Sequence, residues 1–273
     1  MSPAARRPRL PAADLINLQA VFRYAVLGRG DRNHDAALLG AVHAEFPATL
    51  TTPGAEDLPF SSPHIVVASP TAQLAFGFGQ ADVFVQFGDE HRRDVQAAMD
   101  SVAQKLAAAL AGLNAGGIQL AGVGVVATTQ VSTRLVEGLN AADHVFRHQQ
   151  RIRTDASRVQ DAFVRIGLRV ADTYFVSLQL MNYESRQLMQ PVVPGVPMTL
   201  HPWQGMVTDE GLQLLVDVNT FLEARRAGEG THVTEERLLD VISLVRVVLA
   251  DVSAGFIRSG TIPVELLDEV IAR

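Results

Sequence analysis

Residues 163–184, FVRIGLRVADTYFVSLQLMNYE, alternate between apolar and polar positions on both sides of a short polar turn. Val164, Ile166, Leu168 and Val170 share one side, and Arg165 and Arg169 share the other. After the turn ADTY, Val176, Leu178 and Leu180 resume the apolar side. Successive side chains of a strand point to opposite faces, so this segment predicts an antiparallel hairpin with one face wet. Residues 75–90, AFGFGQADVFVQFGDE, repeat the outline. Leu74, Phe76 and Phe78 alternate with small residues, GQAD turns the chain, and Val83, Val85 and Phe87 return.

A second period, near 3.6, marks the helices. In DVQAAMDSVAQKLAAALAGL, residues 94–113, Val95, Met99, Val102, Leu106, Leu110 and Leu113 recur at spacings of three and four. They form one face of a long helix, which NAGG ends because glycine enters the left-handed cap conformation readily. TEERLLDVISLVRVVLADVSAGFI, residues 234–257, predicts a second long helix, apolar over more than half its circumference. A last short helix begins near Pro263, since proline suits the first helical turn. AALLGAVHAEF, residues 36–46, predicts a further helix capped by Asp31, Asn33 or Asp35. Residues 15–27, 118–131 and 211–224 read as strands, and MQPVVPGVPMTLHPWQG is too rich in proline for a central one.

Each hairpin is followed later by a strand, opening GGIQL in one half and EGLQL in the other. The order predicts an α+β fold with internal duplication: two related units, each an antiparallel sheet packed against a long helix. The boundaries are 14–134 and 161–273, with a loosely docked tail over 1–13 and a helical or irregular linker over 135–160.

The tail LLVDVNTFLEAR…ERLLDVISLVRVVLADVSAGFIRSGTI resembles the C-terminal part of a sporadically distributed family of uncharacterised bacterial proteins of similar length. Asp217, Phe221, Phe256 and the SGTI segment are the matching positions, and LINLQAVFRYAV is similar to the family's opening strand. After the first long helix the family has an Arg-Tyr-Ile-Asn-like strand, where this chain has GVGVVATTQV. The resemblance implies a two-unit α+β fold and supplies no catalytic residue.

Composition narrows the function classes. With 48% hydrophobic and 19% charged residues, and a mean hydropathy of +0.15, the chain is apolar enough to need buried surface at a domain or subunit interface. A homodimer or higher oligomer is the expectation. No apolar run reaches the roughly 18 residues of a membrane span, and the opening residues lack the apolar stretch of a signal peptide. There is no cysteine, which removes disulfides and thiolate chemistry and fits a cytoplasmic setting. The net charge of −6 argues against holding nucleic acid by phosphate neutralisation.

Candidate chemistry is sparse. Asp217 is an acid within an apolar strand, and Asn219 shares its face. A buried carboxylate needs a partner, and Arg165 and Arg169 are the natural ones, which would make a ligand pocket between the two units. His201 and Trp203, in a proline-rich loop, suggest a recognition loop. Arg147, His148, Arg151, Arg153 and Arg158 form the densest basic patch. It offers a weaker reading as a nucleic-acid contact, without the interleaved aromatics that stack bases. His144 and His148 sit four apart, as metal ligands on a helix would, but further ligands are missing and the arginines repel a cation. No metal or cofactor is implied. The leading expectation is a non-enzymatic protein-interaction module, with a small-molecule binder or enzyme as the alternative.

Overall fold

The computed structural model describes residues 10–24, 50–53, 63, 65–134, 136, 139–148, 160–188, 205–221 and 233–272. The helix expected over 36–46 lies outside them. The strands are β1 (Asp14–Tyr24), β2 (Leu50–Pro53), β3 (Ile65–Ala68), β4 (Ala72–Phe76), β5 (Gln80–Gln86), β6 (Leu120–Ser132), β7 (Phe163–Val170), β8 (Tyr174–Leu188) and β9 (Gly205–Asn219). The helices are α1 (Val95–Ala115), α2 (Ala141–Phe146), α3 (Glu235–Val247), α4 (Ser253–Ser259) and α5 (Val264–Ile271). None of the described helices is long and apolar enough to cross a membrane.

The two-unit expectation is wrong. All nine strands of the described residues belong to one sheet in the order β2-β3-β4-β5-β1-β6-β9-β8-β7, and every neighbour is antiparallel. The molecule is β-rich. Both hairpins exist, but the two strands taken as corresponding members of separate units, β6 and β9, pair with each other and join the halves in mid-sheet. Alternation reports which face a residue occupies. It carries no information on which strand lies alongside, because that pairing is a long-range contact.

Register makes the sheet one-sided. Directly opposed residues share a face, and Val67, Leu74, Val83, Ala20, Val125, Val218 and Val176 form a row across β3, β4, β5, β1, β6, β9 and β8. All seven are fully buried. The row ends on β7 at Leu168, which is only half-buried. Above this face, Met99, Val102, Leu106 and Leu113 of α1 and Leu238, Val241, Leu244 and Val245 of α3 join the same core.

The long helices begin and end where side chains and glycines can satisfy their terminal amides and carbonyls. The Asp94 carboxylate accepts the Ala97 N–H at 3.0 Å, and the Thr234 hydroxyl accepts the Arg237 N–H at 3.3 Å. After α1 the chain turns at Gly117, whose φ of 69° is left-handed, and the Ile118 N–H returns to the Leu113 carbonyl at 3.0 Å. The helix expected over 234–257 widens into a π turn at Val248–Val252, where the Ser253 hydroxyl donates to the Val248 carbonyl at 2.7 Å. Most of the wide apolar arc of α3 is taken up within the chain, by the sheet and by α1, which Arg246 also holds through Asp100 at 2.7 Å, while Leu239 stays exposed. The first hairpin turns at Gly77–Gly79, two residues before the expected GQAD, with the Gly77 N–H on the Gln80 carbonyl at 2.8 Å.

Candidate functional site

The other face of the sheet carries the chemistry. One row across it reads Ala68, Gln73, Phe84, Gln19, Val126, Asp217, Ser177 and Gly167. The next reads Val66, Ala75, Asp82, Val21, Gly124, Asn219, Phe175 and Arg169. Arg165 lies beyond them, opposite Gln179. Thus Asp217, Asn219, Arg165 and Arg169 do share a face, as their spacing requires.

They do not assemble as expected. The Asn219 side-chain amide donates to Asp217 at 2.9 Å. Arg165 donates instead to the Ser177 hydroxyl at 3.0 Å, and Arg169 pairs with Asp172 at 3.0 Å in its own turn. Among the described residues neither arginine forms an ion pair with Asp217. Asp217 is only half-buried, so water can serve its carboxylate in place of a cation.

Two aromatic rings close over strand glycines on this face. A methyl group on Gly122 would lie 2.6 Å from Phe221 Cδ1, and one on Gly124 would lie 3.0 Å from Phe221 Cε2. The Phe221 ring therefore lies on β6, and the Arg23 guanidinium stacks over it at 4.4 Å from the centroid. Phe175 covers Gly167 of β7 in the same way, with its Cζ 2.7 Å from where a methyl would sit. Glycine inside a strand marks close approach, so GVG at 122–124 was the available signal for a covering group.

A second polar cluster at the far end of the face was not anticipated. Asp209 accepts hydrogen bonds from the Tyr183 phenol and the Ser132 hydroxyl, both at 2.6 Å, and Arg134 donates to the neighbouring Thr208 carbonyl at 2.5 Å. Three strands meet there: β6, β8 and β9. Burial works to raise the Asp209 pKa, but the Ser132, Tyr183 and Glu210 hydrogen bonds and the Arg134 charge outweigh it and hold the carboxyl below its usual range. Tyr183 is pushed up by burial first, then by its bond to Asp209 and by the charges of Asp209 and Asp14.

A raised phenol contributes stability that is complete below its unfolded pKa, about 10, and is lost as pH climbs above it. At about pH 10.5, past the ordinary tyrosine midpoint, the native chain and Tyr183→Phe are expected to show equal tyrosinate absorbance. A deficit of one phenolate in the variant would show that Tyr183 titrates normally.

Two members of the basic patch, Arg147 and His148, are among the described residues. Arg147 forms an ion pair with Asp143 one helical turn back. His144 and His148 turn their rings onto α4: His144 Nε2 lies 2.7 Å from the Ile257 carbonyl and His148 Nε2 lies 3.2 Å from the Phe256 carbonyl. His148 Nδ1 lies 3.0 Å from the His144 carbonyl. These rings dock α2 and its last turn onto α4. Arg151, Arg153, Arg158, His201 and Trp203 lie outside the described residues.

Comparison with known proteins returned no matching family model and no matching curated protein. The geometry of the open face therefore carries the functional reading. Its polar groups engage one another: Asn219 with Asp217, Arg165 with Ser177, and Tyr183 and Ser132 with Asp209. Among the described residues, no serine, threonine or tyrosine hydroxyl of these clusters is hydrogen-bonded to a histidine that could serve as its base.

Proposed function

We propose that the protein acts by binding other proteins, including further copies of itself, through surfaces of its sheet, and not by catalysis. The observation that supports this reading is the distribution of residue types on the open face. Its middle, on β1, β6 and β9, presents Gln19, Val21, Val126, Thr128, Gln213 and Leu215 around the single carboxylate Asp217. Arg23, Asp82, Arg165, Arg169 and Asp209 stand around them. Protein interfaces have this anatomy, with a core depleted of charge and a polar, arginine-bearing rim. Amide side chains supply adaptable hydrogen bonds, and Phe84 and Phe163 add apolar area at 38% and 59% exposure.

A charge placed in that middle removes the binding and spares the fold. Leu215→Glu is expected to melt within about 2 °C of the native chain, as solvent-face substitutions do. It is also expected to bind at least about tenfold more weakly, because an unpaired carboxylate is buried in the complex. Affinity capture from the source cells, followed by titration of the captured protein against both chains, checks this. A native chain that retains nothing, or the same proteins as the variant with equal affinity, counts against the reading. For self-association, light scattering at micromolar concentration should return twice the chain mass of 29.4 kDa.

A further inference from the structure

Strand β7 ends the sheet. The carbonyls of Ala162 and Val170 point inward, accepting the N–H groups of Asn182 and Thr173 at 3.4 and 3.3 Å. Hydrogen-bonding direction alternates along an antiparallel strand, so the backbone groups of Arg165, Gly167 and Arg169 point outward. Among the described residues no strand lies beside them. An outward row of amides and carbonyls is a template for another strand. The side chains point the same way: Val164, Ile166 and Leu168 stay half-buried where their neighbours on β8, Val176, Leu178 and Leu180, are fully buried.

We propose that this edge is the self-association surface: two copies pair their β7 strands antiparallel about a two-fold axis at Ile166, joining two sheets into one. The inference rests on the self-association proposed above and names its surface and register. What selects a second copy as the occupant is the self-complementarity of the strand. An axis at Ile166 sets Val164 opposite Leu168 and Ile166 opposite Ile166 on the covered side. On the open side it sets Arg165 opposite Gly167, beside the Phe175 ring, and Arg169 opposite Phe163. Moving the axis by one residue to Gly167 places Arg165 opposite Arg169, and moving it to Arg165 places that arginine opposite its own copy. Like charges directly opposite are destabilising. The register at Ile166 avoids both clashes. It also matches the outward groups, since Arg165 and Gly167 form a hydrogen-bonded pair and Ile166 a non-hydrogen-bonded one.

The chain contains no cysteine, so a single introduced thiol reports the register directly. Opposed residues of a non-hydrogen-bonded pair have Cα atoms about 4.5 Å apart, within disulfide range. Under mild oxidation Ile166→Cys is expected to run almost entirely as a covalent dimer on a non-reducing gel. Val164→Cys should stay monomeric there, because its own copy lies about four residues, or roughly 14 Å, along the strand. In the second variant, Arg165→Pro, proline replaces an outward N–H that bonds nothing within the sheet. Its light scattering should fall to the mass of one chain with an unchanged circular dichroism spectrum. Equal cross-linking of Val164→Cys and Ile166→Cys, or a dimer that survives Arg165→Pro, overturns the β7 pairing. If the native chain is dimeric and Ile166→Cys does not cross-link, self-association stands and this surface falls. A native chain with the mass of one copy overturns both.

Discussion

Gly211→Ala is expected to destabilise the protein by about 3 kcal/mol or more, the upper end of what overpacking costs, and to lower its melting temperature by on the order of 6 °C or more. A methyl group at this position would lie 2.1 Å from the Val131 carbonyl oxygen and 3.0 Å from its carbon. Both atoms are backbone of β6, so no side chain can rotate away. Strands β6 and β9 would have to separate where Gly211 faces Ser132 on one side and Tyr183 on the other. The hydrogen bond from the Thr133 N–H to the Glu210 carbonyl, 2.9 Å, lies at the same point, and so does the Asp209 cluster. Urea unfolding monitored by circular dichroism measures the effect. Gly88→Ala is the control, because nothing lies within 4 Å of a methyl there. Equal stability of the two variants would mean that the strands do not approach as described.

Phe256→Ala is expected to cost about 3–5 kcal/mol, the range for removing a buried aromatic ring. Phe256 is completely buried on α4. Its ring meets the His148 ring edge-on, with centroids 6.3 Å apart, while its carbonyl accepts the Gly260 N–H at 2.8 Å. The cavity would thus open beneath the docked turn after α2. Phe256→Leu, which refills most of the volume, should recover more than half of the loss. Denaturant titration of both variants tests this. A Phe256→Ala chain within about 1 kcal/mol of the native one, a typical cost for an ordinary point mutant, would contradict the core described for α4.

Much of the local structure was legible. The alternation over 163–180 located β7 and β8 and assigned their faces, and the 3.6 period over 94–113 located α1 with its buried Met99, Val102, Leu106, Leu110 and Leu113. Periodicity depends on side-chain direction alone, which the local backbone determines. The same pattern put Asp217, Asn219, Arg165 and Arg169 on one face. Their partners were not legible. Arg165 reaches Ser177 because β8 happens to lie between β7 and β9, and Arg169 prefers the nearby carboxylate of Asp172.

What the sequence by itself determined was therefore most of the longer elements and the face on which their residues lie, while the short strands β2 and β3 gave no such signal. The tertiary structure alone decided that β1 inserts between β5 and β6, and that β6 pairs with β9 to make one sheet instead of two. It alone brought Tyr183, Ser132 and Asp209 together from three strands, and laid Phe221 across Gly122 and Gly124. The physical reason is one of range. A residue's direction follows from its immediate neighbours along the chain, and many strands share one alternating pattern. Which strand lies beside which follows from how the whole set of apolar faces can be buried under α1 and α3 at once.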